Sequence, residues 1–220
     1  MKLNLKRESP NLALVAAPLI YLATIYNKLP SEVPTHFDLQ GNANGWSAKW
    51  SLWLMPGCMA LLFYLLFKIL PLIDPKQKLK NGVGKYERIK FVVLLFITAL
   101  ACFTLYLAQQ EGAAQLGKFM FAVIGLFFAA LGNFFPSLKP NYFIGIRTPW
   151  ALENETVWRK THQVGGRIWV AGGILIAISA FFINNDLALE TFFITAIIMM
   201  TILPFAYSFI LWKKLKNQPN

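Results

Sequence analysis

Six long apolar stretches without one charged residue or histidine constrain this chain more than any other feature. They run over Pro10–Asn27, Ser51–Phe67, Phe91–Ala108, Phe119–Phe135, Ile168–Ile183 and Thr191–Trp212. Crossing a hydrocarbon core takes about 20 such residues at ~1.5 Å of helical rise each. Inside lipid each segment has to satisfy its own backbone N–H and C=O groups, so every stretch is read as a helix. Composition agrees. Of the 220 residues 56% are hydrophobic and 14% charged, where a soluble domain has about 45–50% and 25%. A water-soluble fold of this size would lack the polar surface to cover itself. The fold class is therefore an all-α integral membrane protein with six transmembrane helices and the lipid bilayer as its first partner. Pro18 and Pro204 fall inside spans and predict kinks. Pro56 lies near the start of its span, where a missing N–H matters least. Basic Met1–Arg7 before an apolar run mimics a signal peptide. The run to Tyr26 ends without a small-residue cleavage site, so it is read as an uncleaved first span. Cys58 and Cys102 lie inside apolar runs and read as packing residues.

The net charge of +11 would suggest nucleic acid in a soluble protein. Here the basic residues sit in alternate gaps between apolar runs, which is the pattern of an orientation signal, so direct nucleic-acid binding is set aside. Eighteen of the 21 Lys and Arg residues fall on one side with five of the ten acids, for a net +13. The other side holds Lys28, Lys49 and Lys118 with the remaining five acids, for a net −2. Positive-inside bias puts both termini in the cytoplasm. Trp46, Trp50 and Trp53 near one interface, and Trp169 and Trp212 near the other, fit aromatic anchors.

Two loops carry the remaining information. The external loop, residues 28–50, contains Pro34, His36, Phe37, Asp38 and Gly41. Its prolines favour extended geometry, and Asn44-Gly45 is a turn signal, so a small extended-and-turn element is expected. His36 and Asp38 share a face if the segment is a strand. One reading is a recognition surface; the other is a packed cap over the bundle. One histidine and two acids fall short of the usual metal set, and no cofactor is expected.

The cytoplasmic loop, residues 136–167, contains Asn141, Tyr142, Gly145, Arg147, Thr148, Pro149, Trp150, Trp158, Thr161, His162 and Gly166. Its first part reads as short and β-like. Thr148-Pro149 has the form of a helix start, with Asn154 a second possible cap. From Glu155 the pattern is helical, and a basic amphipathic helix on the inner leaflet is expected, running into span five past Gly165-Gly166. Arg147, Trp150, Trp158 and His162 read equally as a docking surface or as interfacial anchors. His162 near Glu153 and Glu155 hints at acid–base work, but no nucleophile accompanies it.

At these residues the chain resembles the SdpI family of bacterial immunity proteins. The match is carried by Asn141 to Gly166, with Phe143-Ile144-Gly145-Ile146-Arg147-Thr148-Pro149-Trp150, Trp158 and Thr161-His162. Val33-Pro34-Thr35-His36-Phe37 is similar to the separate N-terminal domain that often precedes it. The resemblance implies two units, a two-span 1–70 and a four-span 71–220. It implies protection against a secreted peptide toxin met on the external side. It also implies a possible signalling role, in which a cognate autorepressor is held at the membrane. The competing class is a transporter or channel for ions or small solutes, disfavoured because no ionisable residue lies in the spans. A membrane enzyme would need a titratable cluster at one depth, and the two histidines fall on opposite sides.

Overall fold

A computed structural model describes residues 5–38, 42–74, 83–109 and 117–217. Among these, one two-stranded sheet interrupts an otherwise helical chain. Five helices are long and apolar enough to cross a membrane, over Glu8–Lys28, Gly84–Leu107, Lys118–Ser137, Glu155–Phe182 and Asp186–Lys216. The chain groups into two compact units, Met1–Ile69 with Lys90–Met120, and Leu70–Ile89 with Phe121–Asn220.

The first unit opens with α1 (Leu5–Ile25) and a tight turn, Tyr26–Lys28. A hairpin of β1 (Glu32–Phe37) and β2 (Ala43–Ala48) follows. A π turn (Trp53–Gly57) then leads into α2 (Cys58–Ile73), and α3 (Val83–Leu107) joins the unit from Lys90. Leu29 and Val33 fix the hairpin to the helices by packing with Leu22, Ile25, Leu52 and Leu105. Further along, Val15, Ala60, Tyr64, Leu94 and Ile97 make a second core. In lipid such cores gain from close packing more than from leaving water.

The helix ends depart from the charge-free spans. α1 begins at Leu5 and so includes Glu8, α2 runs on through Lys68, and α3 begins at Val83 and includes Lys90. The extension puts Glu8 between two lysines, 2.5 Å from Lys68 Nζ and 3.2 Å from Lys90 Nζ. Tyr64 donates to the same carboxylate.

Three of the prolines are handled in two ways. Pro56 sits in the π turn, where the helix takes an extra residue per turn. Pro18 has no N–H for the carbonyl of Leu14, and the Thr98 hydroxyl donates there instead, at 2.9 Å. Pro204 likewise leaves the Met200 carbonyl without its helical donor, and the Trp169 indole supplies one at 2.9 Å.

The second unit holds α4 (Gly117–Phe134, from Phe121), α5 (Pro149–Glu153), α6 (Glu155–Phe182) and α7 (Asp186–Lys216). α4 and α6 meet along small residues. A Cβ on Gly125 would lie 2.5 Å from the Gly173 carbonyl, and one on Gly132 would lie 2.8 Å from that of Gly166. Only glycine lets the two backbones approach this closely. Asn185 caps α7 through Ala188 N–H. Ile194, Ile198, Ile202, Phe205 and Phe209 on that helix are exposed, which suits lipid as solvent.

The helix expected from Glu155 does run into the fifth apolar stretch past Gly165-Gly166, as one unbroken helix, Glu155–Phe182. Gly165 packs against Ile146 and Pro204 and Gly166 against Gly132. The polar side of the helix carries Glu155, Arg159, Gln163 and Arg167; the other side is buried within the unit. The short β-like stretch before it is absent, replaced by a turn.

Candidate functional site

The loop from Leu138 to Thr148 is organised by one side chain. Asn141 donates to the carbonyls of Lys139 (2.9 Å) and Ile144 (3.0 Å). Its own carbonyl accepts the N–H groups of Phe143 (2.9 Å) and Ile144 (2.7 Å). Three of its four hydrogen bonds thus close the turn, and the side chain is buried. Gly145 follows with φ +114°, a conformation in which a Cβ is strained. A Cβ there would also run into His162 Nε2.

His162 is the crosspiece between this loop and α6. Its Nε2 accepts the Ile146 N–H at 2.9 Å, and its Nδ1 donates to the Trp158 carbonyl at 2.8 Å. An amide can only donate and a carbonyl only accept, so the proton sits on Nδ1 and both nitrogens are occupied. Trp158 stacks on the imidazole, with ring centroids 4.1 Å apart, and donates its indole N–H to the Leu138 carbonyl at 2.8 Å. Both residues are about 1% exposed. They therefore act inside the fold, and neither presents a surface to a partner. The Thr161 hydroxyl is fully buried and has no hydrogen-bond partner among the described residues. Gly166 lies against Gly132 and Pro136.

Helix starts complete the site. Thr148 caps α5 by accepting from Ala151 N–H, with Pro149 in the first turn. Its hydroxyl also meets Ser208 of α7 at 2.6 Å. Asn154 caps α6 through Thr156 and Val157 N–H. Trp150 packs into an aromatic group with Phe205, Phe209 and Trp212. Of the loop residues singled out from the sequence, Tyr142, Arg147 and Pro149 stay exposed, and Arg147 Nη1 donates to the Tyr142 carbonyl at 2.6 Å.

The hairpin distributes its residues differently. Pro34 is buried and His36 exposed, with Nδ1 at 3.3 Å from the Thr35 hydroxyl. Phe37 ends β1, so Asp38 lies beyond the strand and does not share a strand face with His36. The Asp38 carboxylate takes the N–H (2.7 Å) and side-chain amide (3.1 Å) of Asn42. Gly41 lies outside the described residues.

Sequence reasoning missed Leu138, Ser208 and Phe135, which complete the loop's contacts only through long-range packing. It also missed the Glu8–Lys68–Lys90 cluster, because spans were defined by the absence of charge.

Residues 137–208 match the SdpI/YfhL protein family. Over that stretch the chain resembles the family. Residues 13–60 match a second domain, of unknown function, that covers most of α1, the hairpin and the start of α2. The chain is 26% identical over 216 residues to the immunity protein SdpI of Bacillus subtilis (strain 168), covering 97% of this chain and 99% of that one. No solved structure matches. With its apolar helices, the likeness makes this a multi-pass cell-membrane protein.

Proposed function

We propose that the chain is a six-span immunity protein that protects its cell from a secreted peptide toxin. One observation carries the reading: the likeness to the immunity protein extends over nearly the whole of both chains. The sixth span is formed by the π turn and α2 together. Helical turns run from 51 to 73, about 34 Å at 1.5 Å per residue. The lysine and arginine bias supports cytoplasmic termini and a cytoplasmic signature loop, with the hairpin outside. In this reading 1–70 is the two-span unit that meets the toxin, and 71–220 is the four-span unit whose loop faces the cytoplasm. Asn141, Gly145, Thr148, Trp158 and His162 shape that loop, while exposed Arg147 and Tyr142 form the surface that would hold an autorepressor.

Expression in a toxin-sensitive strain tests the proposal. Survival beside a toxin-secreting strain should rise, and no gain at confirmed membrane abundance refutes it. A cysteine at Asn44 should react with an impermeant thiol reagent in intact cells, and one at Arg159 should not.

A further inference from the structure

The hairpin has two edges, and they are not equivalent. Lys49 N–H donates to the Ser31 carbonyl at 2.9 Å, which makes Ser31–Lys49 a hydrogen-bonded antiparallel pair. Counting along the register, Val33–Ser47 is the next bonded pair, and Glu32–Ala48 and Pro34–Trp46 are non-bonded pairs. Non-bonded residues point their N–H and C=O groups away from the partner strand. The outer edge of β1 therefore presents Glu32 and Pro34. Proline has no N–H to offer, and proline and charge are the usual blocks on strand pairing. The outer edge of β2 presents Trp46 and Ala48, each with a complete N–H and C=O set.

The sheet has two strands, so among the described residues no further strand covers the β2 edge. Asn44, Trp46 and Ala48 are exposed, Trp46 by 61%. Two residues spaced i and i+2 with outward amides are the template that an extended backbone completes. The exposed rings of Trp46 and Trp50 flank it and favour apolar side chains on the incoming chain. We propose that the outer edge of β2, at Trp46 and Ala48, receives an extended apolar segment of the peptide toxin as a third strand. This rests on the immunity reading, which brings a secreted peptide to the side of the membrane where the hairpin stands.

Ala48→Pro is the direct test, because it removes an outward N–H without touching a bond to β1. At equal membrane abundance, toxin-sensitive cells carrying Ala48→Pro should survive at least tenfold less well than wild type, and Ala48→Ser should match wild type. Equal protection by Ala48→Pro overturns the inference alone; failure of wild type to protect sinks the immunity reading and the inference with it. A photo-crosslinking residue at Trp46 provides a readout that does not depend on the proline variant. An adduct with the toxin supports the β2 edge. No adduct, or an adduct only with a second copy of this chain, overturns it.

Discussion

Pro204 and Trp169 allow a sharp test of how this fold tolerates a proline inside a span. Pro204 cannot donate to Met200, and the Trp169 indole takes its place at 2.9 Å. Trp169→Phe removes the donor and keeps a ring against Phe128 and Phe135, its neighbours at 5.4 and 4.8 Å. In the native background the Met200 carbonyl then loses its substitute donor. Side-chain hydrogen bonds within membranes average about 0.6 kcal/mol and reach about 1.7, and a buried acceptor left unpaired costs about 1–3 kcal/mol. A loss of ~1 kcal/mol is expected from the bond, plus the packing lost with the larger ring. Pro204→Ala restores a backbone N–H at position 204. In that background the indole bond is redundant, and Trp169→Phe should cost only its packing. The coupling between the two substitutions should therefore be ~1 kcal/mol, with packing changes cancelling to first order. Reversible unfolding in lipid–detergent bicelles measures all four corners of the cycle. A Trp169→Phe cost equal in both backgrounds, to within about 0.3 kcal/mol, would refute the reasoning.

The same device in the first unit predicts that Thr98→Val costs ~1 kcal/mol beside Pro18 and less beside Pro18→Ala, in the same unfolding assay. Glu8→Gln takes a carboxylate from two lysines, one of them about 1% exposed. Its cost should be about 3–5 kcal/mol, read as lost folded protein in membranes, while Glu8→Leu with Lys68→Met and Lys90→Met recovers much of it. Gly145→Ala should cost about 1–3 kcal/mol from backbone strain, and more while His162 occupies the space beside it. His162→Ala should reduce the steric part, and purely additive costs in thermal unfolding would count against that contact.

Much of the second unit's local structure was legible because local chemistry decides it. Thr148 before Pro149 and Asn154 before a helical pattern are caps by composition alone, and both accept the N–H groups that such residues accept. The role of His162 was not legible, since its partners lie on a turn whose shape depends on Asn141 and Gly145. Its sequence neighbours Glu153 and Glu155 suggested proton transfer; the fold instead uses both nitrogens for backbone groups. The amphipathic pattern after Glu155 was read correctly as a face, but the face meets protein where lipid was expected. Period alone cannot tell these apart, because tryptophan and histidine suit either environment.

The misreading of the helix ends follows from a different cause. A rule that defines spans by the absence of charge places every charged residue outside them, so it cannot find a cluster that neutralises itself. Glu8, Lys68 and Lys90 come from three helices that are distant in sequence, and each alone looks like a flanking charge. Together they offset part of one another's desolvation cost, which lets the helices carry charge into a buried setting. The prolines obey the same logic. Within their own helices Pro18 and Pro204 read only as kink sites; the fold adds that Thr98 and Trp169 supply the missing donors from neighbouring helices. In both cases a local penalty marks the place where a distant side chain is required. A search of membrane sequences for unpaired penalties, a proline or a lone charge within two turns of a span end, should therefore point to interhelical contacts that hydropathy overlooks.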